Sequence, residues 1–140
     1  MQDPTALAAA WAALPQINNV HASADGKWAF YCAPGLNEID DVYAVVTDGS
    51  AAPEQLTFGQ DHHLIRDVSA DGMRLILAQS KFSCEHDHLM LLDRTTNSLT
   101  MLTPPQDGHY VLGGRFTRDG RASVFCADYD YDAGAVIAGA

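Results

Sequence analysis

Ser23-Ala24-Asp25-Gly26-Lys27, Ser69-Ala70-Asp71-Gly72-Met73 and Thr117-Arg118-Asp119-Gly120-Arg121 are three versions of one pentapeptide, a hydroxyl residue followed two positions later by Asp-Gly. The Asp-Gly pairs stand 46 and then 48 residues apart. Glycine readily takes the positive φ of a tight hairpin, so each pentapeptide reads as a turn between two antiparallel strands. Asp25-Gly26, Asp71-Gly72 and Asp119-Gly120 are therefore expected to be equivalent structural turns.

Working outward, an apolar strand follows each turn, at 28–33, 74–79 and 122–127. Asp41-Val42-Tyr43-Ala44-Val45-Val46 corresponds to Asp87-His88-Leu89-Met90-Leu91-Leu92, and Gln55-Leu56-Thr57 to Met101-Leu102-Thr103. On this reading an offset of 46 runs unbroken from Asp25 to Thr57. Each unit has four short strands. Phe30-Tyr31-Cys32 and Leu75-Ile76-Leu77 are apolar at successive positions, which predicts sheets covered on both faces. Four-stranded sheets repeating every ~40 to 50 residues, each between two neighbours, describe a β-propeller.

The predicted fold is thus all-β, an incomplete propeller of four-stranded antiparallel blades. Blade one covers 17–58, blade two 64–104, and blade three 111–140 is cut short after two strands. Residues 1–16 form a helical lead-in, with Asp3 as N-cap, Pro4 at the first helical position and an Ala-rich body. About two and a half blades cannot close a ring, since propellers have at least four, so the partial propeller at 17–140 is expected to belong to a longer polypeptide.

The Ser-x-Asp-Gly-Lys, Asp-Val-Tyr-x-Val and Gln-Leu-Thr elements resemble the propeller repeats at the N-terminus of prolyl oligopeptidase-type serine peptidases, particularly the acylaminoacyl-peptidase branch. They are also similar to the repeats of the periplasmic translocation protein TolB. The first resemblance implies a non-catalytic segment that gates or orients peptide substrates for a missing C-terminal α/β-hydrolase domain. That domain and the peptides would be its partners, in a protein engaged in proteolysis. The second implies a protein-binding platform.

Composition narrows the partners. With 18 acidic against 8 basic residues the chain carries a formal charge of −10, which works against nucleic acid and anionic membranes. Cys32, Cys84 and Cys126 are an odd number without C-x-x-C spacing and read as buried thiols. No apolar run approaches the ~20 residues of a membrane span. The start lacks the basic residues of a secretory signal, so the cytoplasm is the expected compartment, or the periplasm if a signal has been removed.

Catalytic chemistry is not encoded in recognisable form. No serine has the Gly-x-Ser-x-Gly context of a nucleophile elbow, so no catalytic residue is assigned. His86 and His88 are two apart but lack a third ligand at fixed spacing. Asp128, Asp130 and Asp132 imitate a calcium loop until Ala133 takes the glycine position, so neither metal nor cofactor is expected. The remaining feature is charge placement. The loops between second and third strands, and between blades, emerge together and gather Glu38, Asp40, Asp41, Asp61, Glu85, Asp87, Asp107, Asp128, Asp130 and Asp132 at one end, against Lys81 alone. Such a face would attract basic peptides or a cationic surface.

Overall fold

The structure, a computed structural model, describes Thr5 and residues 16–81, 86–103 and 110–128. The expected N-terminal helix, Thr5 apart, lies outside the described residues, as do Cys84, Glu85, Asp107, Asp130 and Asp132. Among the described residues ten strands form three antiparallel sheets. β1 (Asn18–Ala22), β2 (Trp28–Pro34), β3 (Asp40–Val46) and β4 (Glu54–Gln55) make blade one in simple meander order. β5 (Asp61–Val68), β6 (Arg74–Lys81), β7 (His88–Asp93) and β8 (Ser98–Met101) repeat it as blade two. β9 (Val111–Phe116) and β10 (Ser123–Ala127) pair as the start of a third. The sheets do not close on themselves, and the architecture is an incomplete β-propeller.

One hydrogen-bond set builds all three hairpin turns. The Ser23, Ser69 and Thr117 hydroxyls donate to Asp25, Asp71 and Asp119 at 2.7, 2.7 and 2.6 Å. Each hydroxyl also accepts the amide five residues on, from Trp28, Arg74 and Ala122. Each carboxylate in turn accepts the amide two residues on, from Lys27, Met73 and Arg121. Gly26, Gly72 and Gly120 take φ of 71°, 71° and 68°, the left-handed region that a side chain would strain.

The innermost strands share a second irregularity. One extra residue bulges from each: in β1 between Asn18 and His21, in β5 at Arg66, and in β9 at Gly114. A bulge increases local twist and bends the strand. In β9 the bulge needs glycine twice over, because φ at Gly114 is 104° and a Cβ there would stand 2.9 Å from Ile76 Cγ2.

Register corrects the unbroken offset of 46. Phe30 pairs with Ala44 and Cys32 with Val42, while Ile76 pairs with Leu91 and Ala78 with Leu89. The second strands are therefore 46 apart but the third strands 47, and Leu56 and Leu102, which bond to the carbonyls of Val42 and Leu89, return to 46. A residue gained before the third strand is given back in the turn after it. The reason is steric: a one-residue slip would turn each core side chain to the wrong face. Asp41 is thus the counterpart of His88, not of Asp87.

Stacking creates two cores. Phe30, Cys32, Val42 and Ala44 of blade one meet Ile65, Leu75, Leu77, Met90 and Leu92 of blade two. The other face of blade two, with Ile76, Ala78 and Leu89, meets Val111, with Phe116 and Phe125 at the margin. Leu75, Ile76 and Leu77 are all fully buried, so blade two is covered on both sides as expected, whereas in Phe30-Tyr31-Cys32 the middle residue is only half-buried. Burying each such side chain stabilises by about 1.5–3 kcal/mol. On blade one's outer face Tyr31 and Tyr43 stack with ring centroids 5.4 Å apart.

Candidate functional site

Strand direction places the loop-borne acids at one end of the stack. Pro34 pairs with Asp40, Asp61 with Lys81 and Gln79 with His88, whereas the three Asp-Gly turns lie at the other end. Glu38, in the β2–β3 loop, is exposed at φ 61°. Asp40 is half-buried, accepts Asn18 Nδ2 at 3.3 Å and lies 3.5 Å from His62 Nε2. Asp61 accepts Gln79 Nε2 at 2.8 Å. Asp87 accepts Arg66 Nη2 at 2.7 Å, and exposed Asp128 accepts the Tyr110 amide at 2.9 Å. Glu85, Asp130 and Asp132 fall outside the described residues.

Asp41 departs from the surface role expected of it. Its side chain is enclosed, its Oδ1 accepting the Thr57 hydroxyl at 2.8 Å and its Oδ2 accepting Gln55 Nε2 at 2.9 Å. Thr57 Oγ1 accepts the Val42 amide in turn at 2.9 Å, so the Gln-Leu-Thr element is a bracket for the start of β3. Gly35 leaves the room this needs, because a side chain there would collide with Asp41 Oδ2. In blade two Thr103 Oγ1 accepts the Leu89 amide at 2.8 Å, but His88 replaces the carboxylate.

Facing Asp41 across the seam is His63, whose Nδ1 lies 3.7 Å from Asp41 Oδ1. Burial pulls the His63 pKa below its ordinary value near 6.5, against the raising pull of Asp41 and Asp61. Burial also lowers His88, opposed by Asp61 and Asp87, and lowers His21, opposed by Asp67. The Cys32 thiol is pushed up to about 11, again by burial, which keeps it protonated and unreactive.

Among the described residues, the hydroxyls and imidazoles singled out in the sequence are committed to the fold. The Ser23 and Ser69 hydroxyls are committed to their turns. The His86 ring packs on Tyr110 at 4.8 Å. Among the described residues no group of three His, Cys, Asp or Glu is placed to hold a metal, and no helix is long and apolar enough to cross a membrane. Sequence reasoning missed two residues that tie the inner strands. Asn19, at φ 50°, accepts the Ile65 amide of blade two at 2.6 Å, and Asp67 accepts the Phe116 amide of blade three at 2.7 Å. An Asn at a strand bulge is a signal for the first, and nothing local marks the second.

No family model and no curated protein matches the sequence. Solved structures do match. The chain superposes on the putative TolB from Agrobacterium tumefaciens with a TM-score of 0.63 and 19% identity, over 78% of this chain and 38% of that one. It superposes on TolB from Acinetobacter baumannii with a TM-score of 0.59 and 19% identity, over 81% of this chain and 27% of that one. The chain thus spans well under half the length of either structure. These likenesses overturn the serine-peptidase reading, with its hydrolase and proteolysis implications, because the matched proteins are TolB. They also correct the cytoplasmic placement, since TolB is the periplasmic member of the two resemblances. What the comparisons establish is the fold, a distant, partial TolB-like β-propeller.

Proposed function

We propose that this chain is part of a TolB-like propeller acting in the periplasm as a protein-binding platform, with blades at 17–58, 64–104 and from 111. The binding end is the one that carries the loops between second and third strands. The observation behind this reading is charge segregation on a matching fold: Glu38, Asp40, Asp61, Asp87 and Asp128 crowd one end, where Arg66 and Lys81 are the nearby bases. A lysine- or arginine-rich partner segment is the complementary ligand, steered by the field and held by exposed carboxylates.

Calorimetric titration with a lysine-rich peptide and with a glutamate-rich peptide of equal length tests this. The basic peptide is expected to bind, more weakly as salt rises from 50 to 200 mM, and Glu38→Lys with Asp128→Lys is expected to reduce its affinity by about tenfold. Equal binding of both peptides, or affinity untouched by the two reversals, overturns the proposal.

A further inference from the structure

His63 is the one histidine buried outright among the described residues, with 2% of it exposed. Neither ring nitrogen has a hydrogen-bond partner. Asp41 Oδ1 is 3.7 Å from Nδ1, too far for a hydrogen bond, and is already occupied by Thr57. The charged and titratable groups around the ring come from three strands. Asp41 faces it from β3, Asp61 and His62 flank it on β5, and Cys32 of β2 donates its thiol to the His63 carbonyl at 3.5 Å. From β6 the paired neighbour is uncharged Gln79. His62 turns from the His63 ring to Asp40 of β3, 3.5 Å away, a half-exposed pair that crosses the same seam at its solvent side and must also part when the loop end opens.

A neutral imidazole in this place leaves one N–H unpaired. An imidazolium would carry two N–H donors and a charge into a site whose carboxylate is already engaged by Gln55 and Thr57, and desolvation outweighs the attraction. Water is the remaining partner for the charged ring, and it reaches the ring only if β3 and β5 part at their loop end. The other end of the same seam is fixed independently, by the Ala24 amide on the Ala70 carbonyl at 3.0 Å and by Arg94 of blade two over Trp28 of blade one.

We propose that His63 and Asp41 form a proton-sensitive seam between blades one and two, closed while the imidazole is neutral and opening at the loop end when the ring takes up a proton. Opening brings Asp41 and a cationic His63 to the surface. The device is local: the Asp-Gly end of the seam stays shut.

Amide hydrogen exchange by NMR on the 140-residue chain, corrected for intrinsic rates, reads the seam directly. The Ile65 amide, bonded to Asn19 Oδ1, and the Val42 amide, bonded to Thr57, report the loop end, and the Ala24 amide reports the fixed end. Between pH 7.5 and 5.5 the first two are expected to lose about tenfold in protection while Ala24 keeps its own. His63→Gln is expected to flatten that dependence. In the unmodified chain the His63 ring signals are expected to titrate below pH 6.5, with a midpoint matching the loss of protection. This comparison holds even if the variant fails to fold. Protection independent of pH, a ring titrating at or above 6.5, or an unchanged pH dependence in a folded His63→Gln chain overturns the proposal.

Discussion

Arg94 of blade two lies across the Trp28 ring of blade one, with Cζ 3.9 Å from the ring centroid, and donates from Nη1 to the Gly72 carbonyl at 2.9 Å. Its side chain is 9% exposed, with Glu54 3.8 Å away. The next seam reverses the chemistry: Arg74, the counterpart of Trp28, sits 5.7 Å from the Phe116 ring centroid. A cation–aromatic contact recurs between blades, with the cation now at the position of Trp28 and the ring supplied by the first strand of the following blade.

Arg94→Ala and Trp28→Ala are each expected to lower the urea midpoint. A double-mutant cycle is expected to give a coupling of about 1–2 kcal/mol, since the pair is largely desolvated. Arg94→Lys is expected to recover less than half of the loss, because an ammonium cannot stack on the indole and reach the Gly72 carbonyl together. A coupling near zero would show that the two residues act independently.

Two adjacent glycines separate strain from close approach. Gly113 has φ 82° and open space around it, while Gly114 combines φ 104° with a blocked Cβ position. Gly113→Ala is expected to destabilise by about 1 kcal/mol, from backbone strain alone. Gly114→Ala is expected to cost a further 1–3 kcal/mol or so, because Ile76 and Leu89 must give way. Equal losses in thermal or urea melts would remove the packing argument.

Thr103 is fully buried, and its hydroxyl is the partner of the Leu89 amide. Thr103→Val keeps the shape and strands that amide, with an expected loss of about 1–3 kcal/mol, whereas Thr103→Ser is expected to lose less. Urea titration of the two variants distinguishes the missing bond from missing volume.

Stability is expected to fall with acid in two stages. His21, His63 and His88 have folded pKa values held below the ordinary 6.5, so the unfolded chain binds more protons as pH drops past that value. Their contribution is complete above about pH 6.5 and declines below it. Asp25, Asp71 and Asp119 are lowered first by their Ser or Thr hydrogen bonds. Their contribution is present above the ordinary carboxylate value of 3.8 and is lost as pH falls through the folded value. Urea midpoints from pH 8 to 3 check both stages, and a flat curve between pH 7 and 5 would remove the first.

The parts of the fold legible in the sequence are those made by neighbours in the chain. The Asp-Gly turns close on bonds reaching at most five residues, and the double coverage of blade two is written in Leu75-Ile76-Leu77. The register of the third strands was not legible. Asp41 and Asp87 look equivalent by letter, and only pairing across the sheet shows that His88 stands in the place of Asp41. The surroundings of the acidic residues were legible only in part, for the same reason. Chain order places acids at loops, but whether Asp41 meets solvent or His63 depends on the neighbouring blade, which no local pattern encodes.

The self-contained turns bear on the order in which the chain folds. The bonds that the Ser or Thr hydroxyl and the Asp carboxylate make within Ser23 to Trp28, Ser69 to Arg74 and Thr117 to Ala122 can form before distant segments meet. The chain therefore holds three short-range nuclei, each costing little loop-closure entropy and each able to zip its hairpin on the microsecond scale. Assembly then becomes a matter of docking preformed ribbons, with the slow step left to the Asn19 and Asp67 bonds, which span 46 and 49 residues.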